Sequence, residues 1–147
     1  MSLQSLRSSL LRSTRSLNQT RPSHSTVLTR SSFILRRSQH TLSATPEQFK
    51  AAIKSEQTTL VDFYAEWCGP CKQLTPVLKQ VIASDSQDVH CKSMVTIDTD
   101  DHYELASEYK ISALPTVIAF RNGEPIGKFV GGRNQSGVES FLEEVQA

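Results

Sequence analysis

Two cysteines three residues apart, in Cys68-Gly69-Pro70-Cys71, are the strongest candidates for chemistry in this chain. A thiolate is both a nucleophile and a metal ligand. A Cys-X-X-Cys pair therefore reads either as a dithiol–disulfide couple or as half of a zinc site. If a helix starts at the first cysteine, the spacing puts both sulfurs on one helical face. Their Cα atoms are then about 5 Å apart, within the span of a disulfide. Cys68 at the helix N-terminus meets free N–H groups and the positive end of the helix dipole, both of which favour its anion. Cys71, one turn further in, is expected to be the more buried and to resolve what Cys68 attacks. Pro70 suits the first turn, where a missing N–H costs no hydrogen bond.

Structural zinc usually needs about four Cys or His ligands. Beyond the pair, the candidates are His40, His90, Cys91 and His102. His90 and Cys91 are adjacent in a strand pattern, which points them to opposite faces. No metal is therefore expected, and the pair reads as redox-active. Asp62 interrupts an apolar strand six residues before Cys68. Buried there, it would have its pKa raised by desolvation and could act through water as general base for the Cys71 thiol. A strand-edge aspartate facing solvent is the alternative, and the pattern leaves both open. Leu114-Pro115-Thr116 reads as a strand start, a place where proline is tolerated.

The elements around these residues alternate. Thr45-Pro46-Glu47-Gln48 carries a cap, a proline at the first helical position and a capping-box glutamine, and Phe49, Ala52 and Ile53 give that helix an apolar face. Thr58 to Tyr64 predicts a buried strand running straight into Trp67-Cys68. The next helix carries Leu74, Val77, Leu78 and Val81 at helical spacing, with Pro76 expected to kink it. Val89 to Ile97 predicts a strand, and Asp100 or Asp101 a cap for a short helix with Leu105 and Tyr109. Thr116 to Phe120 and Ile126 to Val130 flank Asn122-Gly123, a strong hairpin signal. Gly131-Gly132 ends the hairpin, and a last helix carries Val138, Phe141, Leu142 and Val145. With a short opening strand near Gln39 to Leu42, this order requires a mixed α/β sheet with helices on both faces.

Charge divides the chain in two. Residues 1–40 hold seven arginines, eleven serines and no acid; the rest holds nine basic residues against fifteen acids, a body charge of −6. An Arg- and Ser-rich, acid-free leader has the composition of an organellar transit peptide. Leu3, Leu6, Leu10 and Leu17 share one helical face, roughly opposite Arg12 and Arg15. It lacks the apolar core of a secretory signal, and nothing approaches the ~20 apolar residues of a membrane span. Residues 1–37 are therefore expected to be a disordered mitochondrial transit peptide, cut between Arg30 and His40, with a plastid transit peptide, a basic tail or a nucleic-acid arm as the alternative. Residues 38–147 are the expected folded domain. An odd count of three cysteines argues against a disulfide framework.

The run from Val61 to Lys72, Val-Asp-Phe-Tyr-Ala-Glu-Trp-Cys-Gly-Pro-Cys-Lys, resembles the active-site signature of the thioredoxin family. Pro76, Ile97-Asp98, Leu114-Pro115-Thr116, Asn122-Gly123 and Gly131 follow at family spacing, so the resemblance covers about residues 40–147. It implies a thioredoxin fold of about five strands and four helices, acting as a monomeric protein-disulfide reductase. In that reading Asp62 is the buried acid, and Pro115 is a cis-proline facing the disulfide. The backbone at Leu114 pairs with substrate as an added strand. Trp67 and Gly131 help form an apolar docking surface. Gly69-Pro70, which tunes the redox couple, resembles the reducing members. No cofactor is implied beyond the Cys68–Cys71 disulfide. Electrons would come from an NADPH-dependent thioredoxin reductase and go to peroxiredoxins and other oxidised clients in the mitochondrial matrix, with no nucleic-acid or membrane partner. An oxidising or isomerising member, or a non-catalytic binding subunit, is the alternative. The chain departs from the family pattern twice. Met94 stands where many members carry a lysine near the buried acid, with Lys92 two residues earlier on the same strand face. Cys91, expected to be a semi-buried strand cysteine, lies outside the signature.

Overall fold

A computed structural model describes residues 39–84 and 91–147. The leader with its expected cleavage site, and the start of the strand expected from Val89, lie outside the described residues. In chain order the elements are β1 (Gln39–Thr41), α1 (Pro46–Ile53), β2 (Thr58–Tyr64), α2 (Gly69–Ala83) and β3 (Cys91–Asp98). Then come α3 (Tyr103–Glu108), β4 (Thr116–Arg121), β5 (Glu124–Val130) and α4 (Gln135–Gln146).

Local signals start and stop these elements. Thr45 Oγ1 accepts from the Gln48 N–H at 3.3 Å while Gln48 Oε1 accepts from the Thr45 N–H at 3.0 Å, a complete capping box. Asn122 and Gly123 both take positive φ, 53° and 85°, as a two-residue hairpin turn requires. Their N–H groups donate to Ser55 and Ile53 carbonyls at 2.8 Å, fastening the hairpin to the end of α1.

The strands form one sheet in the order β1-β3-β2-β4-β5. β3 runs parallel to β1 and β2; β4 pairs antiparallel with β2, and β5 with β4. Because side chains alternate along a strand, the sheet feeds two separate cores. On one face Leu60, Met94, Val117 and Ala119 pack with Leu74, Leu78 and Val81 of α2 and Val138, Phe141 and Leu142 of α4. On the other, Val61, Phe63, Val95 and Ile97 pack with Phe49 and Ile53 of α1 and Leu105 of α3. Phe49, Tyr109 and Phe120 meet there edge to face, with ring centres 5.3 to 5.7 Å apart. The strand at the centre, β2, is covered on both faces, and its end is where Cys68 follows.

The cap of α3 corrects one expectation. Its N-cap is His102, with no side-chain cap bond. The two aspartates are not interchangeable turn formers here: the Asp100 carboxylate accepts from the Trp67 indole at 2.9 Å, and its N–H donates to Asp98 Oδ1 at 2.9 Å. Pro76 sits inside an unbroken α2.

Candidate active site

Cys68 is the N-cap of α2, in extended conformation, and its sulfur accepts from the Cys71 N–H at 3.2 Å. A sulfur thus occupies the place that a Ser or Asp oxygen usually fills at a helix start. Cys68 and Cys71 are joined in a disulfide, with Cα atoms 5.3 Å apart. Exposure hardly separates the two, at 4% and 2%. What separates them is the cap: the N–H donor and the positive helix end act on Cys68. Gly69 and Pro70, beside it, are exposed.

Asp62 is wholly buried in β2, between Thr96 of β3 and Val117 of β4 in register. This settles the choice between a buried acid and a solvent-facing strand-edge residue in favour of burial. Oδ2 accepts from Thr75 Oγ1 at 3.1 Å, and among the described residues Oδ1 has no hydrogen-bond partner. Burial pushes the carboxyl up to about 6, and the Thr75 hydroxyl opposes it. Met94 lies buried two pairs along from Asp62, on the same sheet face, and brings no charge.

Pro115 is buried and its bond to Leu114 is cis. Leu114 packs against the cluster of Ala65, Cys68 and Cys71. The Pro115 carbonyl accepts from the Gly131 N–H at 2.8 Å, and Gly131 takes a φ of +89° that favours glycine. The Leu114 packing and the Pro115–Gly131 bond gather Cys68, Leu114, Pro115 and Gly131 at one end of the sheet. Trp67, beside Cys68, is 73% exposed, and Val130, beside Gly131, is 54% exposed.

Cys91 belongs to the core, not to this site. It is 1% exposed, more deeply buried than a semi-buried strand residue, and burial pushes its thiol up to about 11. So little thiolate exists near neutral pH that it makes a poor nucleophile. Among the described residues no three His, Cys, Asp or Glu side chains gather as metal ligands do, and no helix is long and apolar enough to cross a membrane.

The family model for thioredoxin matches residues 40–144. The chain belongs to the thioredoxin family. A mitochondrial thioredoxin of Bos taurus is 43% identical over 100 residues, which is 68% of this chain and 58% of the bovine protein. The chain thus spans little more than half the length of that relative. The oxidised mitochondrial thioredoxin 3 of Saccharomyces cerevisiae superposes with a TM-score of 0.58 at 30% identity, over 74% of this chain and 94% of that one. Two further matches pair the family with other redox proteins. One is a bifunctional thioredoxin reductase/thioredoxin of Mycobacterium leprae, 32% identical over 97 residues, 66% of this chain and 20% of that protein. The other was solved in work on thiol resolution in a yeast mitochondrial 1-Cys peroxiredoxin via glutathione/thioredoxin systems, at a TM-score of 0.60 and 30% identity. It covers 71% of this chain and 93% of that chain.

Two residues of the site escaped the sequence reading. Thr75 lies four positions after Cys71, on the same face of α2, so helical spacing could have found it. Asp100, which pins the Trp67 indole, is 33 residues away from it, and no local pattern links the two.

Proposed function

We propose that this protein is a mitochondrial protein-disulfide reductase. The observation that carries the reading is the Cys68–Cys71 disulfide at the start of α2, with the Cys71 N–H aimed at the Cys68 sulfur. In the reduced protein that N–H and the helix dipole favour a Cys68 thiolate. The thiolate attacks one sulfur of a client disulfide. The client bond breaks, one client thiolate leaves, and a mixed disulfide with Cys68 forms. Cys71 then loses its proton toward Asp62 and attacks Cys68. The second client sulfur leaves as thiolate, and the pair closes into the disulfide seen in the structure. Two electrons pass from the pair to the client.

The surface around Cys68 suits this traffic. Trp67, held by Asp100, together with Leu114, Val130 and Gly131, forms an apolar rim on which a client backbone can align beside Leu114. Gly69 and Pro70 keep the turn next to the nucleophile small, and Pro70 adds no N–H to it. The closed pair needs an outside electron donor, which we take to be an NADPH-dependent thioredoxin reductase; the Mycobacterium leprae protein that joins a thioredoxin reductase to a thioredoxin supports such a reductase as the partner. The peroxiredoxin match supports peroxiredoxins among the clients.

Reduction of insulin disulfides with NADPH and a thioredoxin reductase tests the reading. Turnover dependent on this protein is the expected result, and its absence overturns the assignment. In the reduced protein, iodoacetamide is expected to modify Cys68 well before Cys71; equal rates would remove the distinct roles.

The mitochondrial relatives and the basic leader support residues 1–37 as a cleaved matrix-targeting peptide and 38–147 as the working domain. Deleting residues 1–36 is expected to leave melting temperature and insulin reduction unchanged in vitro and to leave the protein in the cytosol of cells. A truncated protein that melts early, or still reaches mitochondria, contradicts this division.

A further inference from the structure

Asp62 can accept a proton only if its charged form survives burial. Among the described residues just one of its oxygens has a hydrogen-bond donor, and that donor is Thr75. A hydroxyl has a single proton to give. Thr75 Oγ1 stands 3.1 Å from Asp62 Oδ2 and 3.0 Å from the Cys71 carbonyl oxygen, one turn back on the same helix. The back-bond to Cys71 is the ordinary habit of a threonine in a helix, and it fixes where the oxygen sits. The ionised carboxylate is the stronger acceptor, so it draws the proton when Asp62 is charged.

The other surroundings of Asp62 supply no such help. In register it faces Thr96 on β3 and Val117 on β4, with Met94 two pairs away. On α2 the cysteine pair, closed as a disulfide, carries no charge, and Lys72 is exposed at the lining of a surface cavity. Among the described residues no charged group bears on Asp62: burial raises its carboxyl and the Thr75 hydroxyl lowers it.

We propose, on the reading of the site given above, that Thr75 is a positioning residue for the resolving step. Its hydroxyl holds Asp62 in place and stabilises the ionised form that takes the Cys71 proton, from a helix position one turn beyond the cysteine it serves. In this chain a neutral hydroxyl on α2 does this work, while Met94 on the neighbouring strand contributes only packing.

Thr75 is half-buried and lines a surface cavity of about 270 Å³ with Tyr64, Cys71 and Pro76. The isosteric change Thr75→Val therefore removes the hydroxyl without opening the core. The direct test is the carbon-13 carboxyl titration of Asp62 in the oxidised protein, which needs no turnover. Hydrogen bonds to charged groups are among the strong ones, and one unit of pKa is a tenfold change in ionisation. Thr75→Val is expected to raise the Asp62 midpoint by about one pH unit or more. In single-turnover release of a client from Cys68, the acidic limb of the pH profile moves up equally, about tenfold slower at a given pH on that limb. The shift is confined to release, leaving the first attack by Cys68 in place. Thr75→Ser, which keeps the hydroxyl, restores both profiles, and Thr75→Ala repeats the valine result if the branched side chain disturbs folding. An unmoved Asp62 midpoint in Thr75→Val, or an equal shift in Thr75→Ser, overturns the proposal. Failure of the unaltered protein to reduce insulin would instead overturn the reductase reading, and the carboxyl titration would still decide on Thr75.

Discussion

Replacing Cys71 by serine is expected to stop turnover and leave a client covalently held on Cys68. The first exchange needs only the Cys68 thiolate. Its support, the backbone N–H of residue 71 at 3.2 Å from the sulfur, survives a change of side chain. The second exchange needs a sulfur at position 71, because a serine oxygen cannot close a disulfide with Cys68. The variant should therefore form one 1:1 adduct per molecule with a disulfide client, visible by non-reducing electrophoresis and released by dithiothreitol. Cys68→Ser should form none. Both lose multiple turnover by on the order of 10⁴-fold or more, the scale seen when a covalent nucleophile is removed from a unit that acts together. Peptide mapping should place the adduct on Cys68. Cys91 is no competitor, since it is buried and its thiol is pushed up to about 11. Continued multiple turnover in Cys71→Ser, or an adduct that maps to Cys91, would remove the two-thiol mechanism.

The parts of this site that local chemistry specifies could be read from the sequence. The capping box of α1, the Asn122-Gly123 turn and the whole of β2 depend on residues within a few positions of one another, and they stand where their patterns place them. The spacing of Cys68 and Cys71 is likewise a local property of a helix start. The fate of Asp62 is not local. Whether a strand aspartate is buried depends on what lies on either side of it and what covers its face. Here β3, β4 and α2 do so, all distant in sequence or reached by a turn. The pattern alone left both answers open, and only the family resemblance favoured burial. Asp100 shows the reverse failure. Its residue type suits a helix cap, yet the Trp67 indole takes its carboxylate, and the helix begins without it. Competition between a local and a distant partner for one side chain cannot be read from spacing.

Asp62→Asn is expected to make the protein more stable and slower, with the gain in stability present only at the higher pH. In the fold, burial moves this carboxyl from an ordinary 3.8 to about 6. Between those values the folded protein holds a proton that the unfolded chain has released. Unfolding free energy therefore falls as pH rises through this window, and the loss is complete above it. The difference corresponds to roughly 3 kcal/mol at neutral pH, at about 1.36 kcal/mol per unit. An asparagine cannot ionise, so it escapes that loss. Its amide brings its own cost: one oxygen of Asp62 already lacks a partner, and an unsatisfied buried polar group costs about 1–3 kcal/mol. That cost does not vary with pH. The telling quantity is thus the change with pH: the stability of Asp62→Asn relative to the unaltered protein should rise by about 3 kcal/mol between about pH 3.5 and pH 7.5. Urea unfolding of the oxidised proteins across that range measures it. Client release should slow on the order of a hundredfold, the low end of what a positioned general base contributes. A stability difference that stays flat with pH would mean that the buried carboxyl does not titrate as its surroundings dictate. Unslowed release would mean that the Cys71 proton leaves by another route.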